Sequence, residues 1–394
     1  MIFTLTSLPD EFKQVVARIM ELRKELGFAT SDNMNRWWGP LARMAAARAM
    51  VGSNSIEGVN VTLNDAVAVI DGEAPATAQE EDRAALQGYW NAMTYIVQLS
   101  KDPAYVHNEN TIKSLHYMML GYDLGKNPGR WRPGGIHVTN TTTNTVVYEG
   151  PDLDLVPQLM GELTAYLNQP QEQPLVKAAM AHLNLAMIHP FSDGNGRMAR
   201  ALQTMVLSRE GILDPRFSSI EEYIGSNSAA YYAVLAEVGQ GTWHPERDPL
   251  PWIRFCLTAH YRQADNLLRR HSDMGRLWKA LEDEVKRRKI HERVVNALAD
   301  AAIGLRVKNP AYRNLAGISN QTAKYDLKRL ADEGLLVPKG EKKGRYYVAG
   351  ELVQKLRNET RSKSRITDPF EEQEKTNKAK QQELPGFGST TESL

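Results

Sequence analysis

Residues 189 to 200 read His189-Pro190-Phe191-Ser192-Asp193-Gly194-Asn195-Gly196-Arg197-Met198-Ala199-Arg200. No other stretch of the chain gathers a base, a carboxylate, two glycines, an amide and two guanidiniums so closely. Phosphate chemistry uses that inventory. A histidine takes a proton near neutral pH. An aspartate holds magnesium through oxygen. Glycines let backbone N–H groups approach a phosphate, and arginines bind one through paired hydrogen bonds.

The flanking sequence dictates how these groups are held. Pro174 suits a first helical position, and Leu175, Ala179, Leu183, Ala186 and Met187 recur at helical spacing. Beyond the motif, Met198, Leu202, Met205 and Val206 repeat the pattern up to a stop at Gly211. Ser192 to Gly196 is therefore expected as a loop feeding a helix N-terminus. Such an end presents unpaired N–H groups and partial positive charge, which is an anion site. Arg197 and Arg200 lie in its first turns.

The string resembles the signature of the Fic family, H-x-F-x-(D/E)-G-N-G-R-x-x-R, and meets every specified position. The resemblance implies transfer of AMP from ATP to a Ser, Thr or Tyr hydroxyl of a protein. By that resemblance His189 is the base on the target hydroxyl and Asp193 holds Mg2+ between the α- and β-phosphates. Gly194, Asn195 and Gly196 line the anion hole, Arg197 lies on the phosphates and Arg200 grips the γ-phosphate. The absence of a bulky or cationic side chain at Gly196 favours adenylyl over phosphoryl transfer. Elementary chemistry agrees, since such transfer needs positioning, charge neutralisation and a base with a pKa near working pH.

Ser53-Asn54-Ser55-Ile56-Glu57-Gly58 follows a helical run, Pro40 to Val51. It resembles the family's inhibitory motif, (S/T)-x-x-x-E-(G/N), which implies that Glu57 pairs with Arg200 and blocks the γ-phosphate. In some members the same glutamate positions water for removal of AMP. The direction stays open. Ile136 to Asn140 and Thr145 to Tyr148 flank a Thr/Asn-rich turn, Thr141 to Asn144, and read as a β-hairpin. The resemblance makes it the flap that clamps a target segment by strand addition. Tyr231 and Tyr232 fall in a helical pattern; by resemblance Tyr232 is the one expected beside the adenosine. Gly239 stands where members often have an adenine-side Asn.

Composition bounds the rest. The chain has 394 residues and 42% hydrophobic content, enough for two or three globular domains. No apolar run approaches the ~20 residues of a membrane span, and no secretory signal is evident. One cysteine, Cys256, excludes an internal disulfide and is expected in the core. His182, seven before His189, lacks suitably spaced co-ligands for a metal. The cytoplasm is the expected location, with ATP as co-substrate and a hydroxyl-bearing protein, this chain included, as target. The oligomeric state, a homodimer among the options, is open.

Charge is uneven. Residues 305–349 hold ten Lys and Arg against four acids, +6, leaving −5 for the remainder. His291 to Leu305, Asn314 to Gly317 and Ser319 to Asp332 read as three helices, the last capped by Ser319. Ala323, Leu327, Leu330 and Ala331 form its buried stripe, with Gln321, Thr322, Lys324, Tyr325 and Lys328 facing away. Leu335 to Val337 and Arg345 to Val348 read as strands around a basic turn, Lys339 to Gly344. The pattern resembles a winged helix-turn-helix, which implies DNA contact or a protein-binding module. Residues 361–394 balance six basic against six acidic residues and are expected as a mobile tail, docking Leu384-Pro385-Gly386-Phe387 at most.

The expectation is a mainly α fold: a Fic-type helical core with a β-hairpin flap, and a winged module. Residues 1–100 form a regulatory region, 101–270 the catalytic core, 271–290 a helical linker, 291–350 the winged helix, and 351–394 a short helix and tail. The leading function is a magnesium-dependent protein adenylyltransferase held off by Glu57. The alternative is a DNA-binding regulator whose nucleotide pocket senses rather than catalyses. The group transferred, AMP rather than UMP or phosphocholine, is not fixed by the motif.

Overall fold

The computed structural model describes residues 1–31, 37–75, 77–140, 145–170, 173–209, 215–363 and 367–371. In chain order, α1 (Asp10–Ser31), α2 (Trp38–Ile56), α3 (Leu63–Ile70), α4 (Glu80–Leu99) and α5 (Glu109–Leu120) precede an antiparallel hairpin, β1 (His137–Asn140) and β2 (Thr145–Glu149). Then come α6 (Val156–Asn168), α7 (Pro174–Ile188), α8 (Asn195–Ser208), α9 (Pro215–Ser218), α10 (Glu221–Ser226), α11 (Ser228–Gly239) and α12 (Leu250–Arg287). The C-terminal part holds α13 (Val295–Ala302), α14 (Asn309–Ala316), α15 (Asn320–Asp332), a second hairpin of β3 (Leu336–Lys339) and β4 (Tyr346–Ala349), and α16 (Glu351–Thr360). The fold is mainly α, as expected.

The helices α7 and α8 are buried almost all round and pack against each other. A helix apolar on every side belongs inside a core, and Leu175, Ala179, Leu183, Met198, Leu202 and Met205 are all at most 1% exposed. Around this pair the larger core takes residues from α1, α4, α5, α6, α11 and the first half of α12. Cys256 is fully buried there.

Residues 271–290 do not form a separate element. The 38-residue α12 runs unbroken from Leu250 to Arg287, because no Gly or Pro that would stop it lies between Trp252 and Asp273, and Gly275 is tolerated. Met274, Leu277, Trp278, Leu281 and Val285 on its second half belong to a separate core, with α13, α15, β3, β4 and α16. One helix thus serves as a wall of both modules.

Other boundaries shift for local reasons. The 291–305 segment divides into a 3-10 turn, Glu292–Val294, and α13. It stops at Ala302 because Gly304 takes φ +94° and lets the Leu305 N–H reach back to the Asp300 carbonyl. The next helix begins at Asn309 rather than Asn314, because Pro310 sits at its first turn. Ser319 caps α15 by accepting from the Thr322 N–H; Ala331 on it is only partly covered, and Asp326 is buried instead. The loop before α8 is shorter than expected, since Asn195 and Gly196 are already helical.

Three expectations fall outside the described residues: the stop at Gly211, the turn Thr141 to Asn144, and the segment Leu384 to Phe387. Within the tail, Phe370 is 3% exposed, its ring 5.1 Å from that of Phe12, so apolar packing reaches beyond residue 361. No described helix is long and apolar enough to cross a membrane.

Candidate active site

The end of α2, the hairpin, the α7–α8 junction and α11 enclose a cleft of about 750 Å³, within the size range of small-molecule sites. Glu57, His137 to Thr139, His189, Ser192 to Gly196, Arg200 and Tyr232 all line it.

His189 ends α7 in the left-handed region, φ 52° and ψ 56°. That conformation costs a non-glycine residue about 1–2 kcal/mol and turns the imidazole out of the helix row. Its N–H still reaches the Leu185 carbonyl. Its Nδ1 lies 3.1 Å from the Ala186 carbonyl; a carbonyl only accepts, so Nδ1 carries the proton and Nε2 keeps its lone pair. Desolvation lowers the pKa of this ring, outweighing the carboxylates of Glu57 and Asp193. A neutral imidazole with a free Nε2 is a general base.

After Pro190 the chain must reverse within five residues. Gly194 supplies φ +74°, and a Cβ there would strike Leu120. The Asn195 amide braces the reversal: its Oδ1 accepts from the Phe191 N–H at 2.9 Å and its Nδ2 donates to the Phe191 carbonyl at 2.8 Å. The side chain is engaged there, and Asn195 keeps its backbone N–H for the cleft it lines. The first amides of α8 have no helical carbonyl to pair with and open onto the cleft.

Arg200 is 1% exposed. Its Nε donates to Ser53 Oγ at 2.8 Å, and its Nη2 donates to the Ser53 carbonyl at 2.9 Å and to Glu57 Oε1 at 2.8 Å. Burial works against the guanidinium's charge, but the Glu57 carboxylate, together with Tyr231 and Glu221, outweighs it and raises the pKa. Its Nη1 has no hydrogen-bond partner among the described residues. Ser53 lies in the last turn of α2, with Glu57 at its C-cap.

Gly58 ends α2 at φ +77°. Its N–H bonds to Ser55 and that of Val59 to Asn54, through their carbonyls, the double closure that needs a left-handed Gly or Asn. This stop aims Glu57 into the cleft. Gly196 makes room for it, since a Cβ there would collide with Glu57 Oε1. Behind α2, Gly52 meets Gly225 of α10 so closely that a Cβ on either would overlap backbone.

Asp193 lies between two cations: Lys126 Nζ at 3.1 Å and Arg197 Nη2 at 3.9 Å from its Oδ2. Burial pushes its pKa up, but these neighbours and the Gly194 N–H carry it below the usual value. Arg197 is 3% exposed and lies beside Asp193 rather than on the cleft wall; its Nε and Nη1 have no hydrogen-bond partner among the described residues. Tyr232 is 49% exposed at the cleft mouth, its hydroxyl 3.4 Å from the Ile56 carbonyl. Tyr231 is buried and bonded to His182 Nε2, while His182 Nδ1 meets Gln203. Desolvation takes His182 to a pKa of about 3, so it is a neutral core group. No metal-binding cluster of three or more His, Cys, Asp or Glu occurs among the described residues. Gly239 packs against Met187 and Tyr148.

Three supporting residues escaped the motif reading. Arg132, 3% exposed, donates to the His189 carbonyl at 3.2 Å and to the Pro151 carbonyl, and its own N–H bonds to Pro190. It ties the hairpin's root to the base. His116 stacks on Phe191 at 3.7 Å, donates from Nε2 to the Asp193 carbonyl and accepts from the Gly129 N–H at Nδ1. Tyr148 donates to the Met187 carbonyl. Each is distant in sequence from the motif, and no local sequence signal marks it.

Residues 106–207, from just before α5 to the end of α8, match the model of the Fic/DOC family; this part of the chain is a Fic/DOC domain. Among curated proteins, the chain is 28% identical over 222 residues to Protein adenylyltransferase Fic of Nematostella vectensis, covering 55% of this chain and 47% of that protein. It is 33% identical over 135 residues to Protein adenylyltransferase fic-1 of Caenorhabditis elegans, covering 34% and 24% respectively. A probable protein adenylyltransferase of Aquifex aeolicus is 27% identical over 163 residues, covering 41% and 50%. The chain therefore spans half or less of the length of these relatives. Among solved structures, a Fic family protein from Desulfovibrio desulfuricans G20 superposes with a TM-score of 0.57 at 23% identity, over 88% of this chain and 97% of that one. A Fic domain containing signaling protein from Bacteroides thetaiotaomicron gives 0.52 at 22% identity, over 66% and 97%. These two likenesses establish the fold.

Proposed function

We propose that this protein moves AMP from ATP to a hydroxyl side chain of a protein, and that Glu57 holds the reaction off. One observation carries the reading: the free Nε2 of His189 and the open amides of α8 face the same cleft. The relatives' printed names, protein adenylyltransferase, agree with it.

In this mechanism His189 takes the proton from the target hydroxyl as that oxygen attacks the α-phosphorus. The bond to the β-phosphate oxygen breaks and pyrophosphate leaves. The N-terminal amides of α8 stabilise charge on the phosphate oxygens, with Arg197 adding its charge from behind Asp193. Arg200, once released from Glu57, binds the γ-phosphate with its fork. Tyr232 flanks the adenosine, and the exposed β1–β2 hairpin aligns the target segment by backbone pairing. Asp193 suits a magnesium ion, which takes one or two carboxylates together with phosphate oxygens; when bound, the ion would neutralise charge across the phosphates. Removal of AMP, with Glu57 orienting a water, belongs to the same site. The reading assigns the reaction to the cytoplasm, a compartment that supplies ATP.

The C-terminal module supports a second reading, a winged helix that contacts DNA. Gln321, Lys324, Tyr325 and Lys328 project from α15 into solvent, beside the basic hairpin. In that reading the cleft senses nucleotide for a transcriptional regulator. Residues 305–349 would contact phosphates, and affinity would fall steeply with salt.

The test separates the two. The Glu57→Gly protein is incubated with magnesium and ATP labelled at the α- or the γ-phosphate. Protein label from the α position alone supports adenylyl transfer. Label from neither, with ATP-sensitive DNA binding, supports the regulator.

A further inference from the structure

Lys126 ends a one-turn 3-10 helix, Leu124–Lys126, between α5 and the first hairpin. Asp123 starts that turn by accepting from the Gly125 N–H. The turn delivers the ammonium to Asp193. Nζ lies 3.1 Å from Asp193 Oδ2 and 3.8 Å from both Asp123 and Glu81 carboxylates, and 5.7 Å from the centre of the Tyr122 ring. Three carboxylates and a ring face surround one cation, and Asp193 is its closest partner. Arg197 approaches the same Asp193 oxygen at 3.9 Å. The carboxylate assigned to the magnesium ion thus already has a cation on it.

We propose that Lys126 is a built-in competitor of the divalent ion for Asp193, and so sets how strongly ATP binding depends on magnesium. The inference rests on the reading of Asp193 as the metal ligand. A carboxylate oxygen held at 3.1 Å by an ammonium is not fully available to a metal, so the ion must displace Lys126 to reach it. Conversely, Lys126 shields the incoming phosphates from the Asp193 charge when no metal is present. Its removal acts in opposite directions on the two forms of the ligand. Metal-free ATP meets a bare carboxylate and binds more weakly. Magnesium–ATP meets no competitor and binds more tightly. Lys126 is a positioning and specificity residue here, since it acts through Asp193.

The experiment measures equilibrium binding of ATP to the full chain by calorimetry, with EDTA and with excess magnesium, in the Glu57→Gly background. The readout is the ratio of the two dissociation constants, metal-free over metal-loaded. Lys126→Met raises that ratio by about twofold to fivefold, the factor of one partly exposed ion pair. Lys126→Arg leaves it near the parent value. Asp193→Asn lowers it toward one, and Lys126→Met added to Asp193→Asn changes it no further. If Lys126→Met leaves the ratio unchanged while Asp193→Asn lowers it, the competition is refuted and the metal reading stands. If Asp193→Asn leaves it unchanged, the metal reading fails and the proposal fails with it. Lys126 is half-exposed on a turn, and a melting temperature equal to the parent's verifies that its variants are folded.

Discussion

Replacing Glu57 by glycine sets stability against activity, and the geometry fixes both signs. Arg200 is 1% exposed and Glu57 21% exposed, with 2.8 Å between their charged atoms. Breaking a buried pair by removing one partner costs about 3–5 kcal/mol. Here Arg200 keeps two bonds to Ser53, so a loss of about 2–3 kcal/mol is expected, with hydrogen bonds to charged groups as the guide. In a chain of this size that lowers the melting temperature by about 3 °C. The same free energy opposes the γ-phosphate in the parent, because the phosphate must take the guanidinium from the carboxylate. Lifting it raises AMP transfer by about 30-fold to 150-fold, at 1.36 kcal/mol per factor of ten. The assays are thermal unfolding and initial rates of label incorporation from α-labelled ATP. Glu57→Gln, which keeps the contact and loses the charge, falls between parent and glycine in both. A variant that melts lower yet transfers AMP at the parent's rate would refute the brake and leave Glu57 a structural residue.

Three further outcomes follow from named contacts. The general-base limb of the pH–rate profile lies below 6.5, because desolvation lowers the His189 pKa; kcat/KM therefore holds steady from pH 8 down through neutrality and falls below that limb, and a limb above pH 7 would count against His189 as base. Gly58→Val, forced into φ +77°, misdirects the end of α2 and raises transfer at a stability cost of about 1–2 kcal/mol, while Gly58→Asn preserves the parent's behaviour; equal rates in both variants would contradict the role given to this turn. Arg43 joins α2 to Asp300 of α13 and, at 3.3 Å, to Asp71, and burial raises both aspartates above the usual carboxylate range. Their native forms hold protons that the unfolded chain has released, so stability falls as pH rises through that raised window. Arg43→Met removes the cation that limits the rise, so its stability loss relative to the parent is larger at pH 8 than at pH 4.5 in denaturant titrations; a pH-independent loss would refute this account.

The legible parts of the sequence were those where physics acts locally. The α7–loop–α8 junction follows from two apolar periods separated by Pro190 and two glycines. Ser319 announces α15, and the Thr/Asn segment announces the hairpin. The Glu57–Arg200 contact spans 143 residues, and only the paired motifs made it visible. What stayed hidden depends on packing from distant elements. Nothing near Arg132 says that its guanidinium will hold the His189 carbonyl. Lys126 reads as one more surface lysine until α5 places its turn against Asp193. Residues 271–290 were read as a helical linker; that Met274, Leu277, Trp278 and Leu281 form an apolar stripe continuing α12 into the second core depends on the elements packed against them. Asn195 was legible as part of the loop that lines the cleft; that its side-chain amide braces the backbone of Phe191 was not.

The central claim is that the His189 imidazole and the amides opening α8 converge on one bound triphosphate. A crystal structure of the Glu57→Gly protein with a non-transferable ATP analogue and magnesium tests it directly. The account places the phosphates against the N–H groups of residues 194–197, the γ-phosphate on Arg200, and His189 Nε2 facing the α-phosphorus from the side opposite the leaving group. A nucleotide bound outside the cleft, or one whose α-phosphate lies beyond the reach of His189, would contradict it.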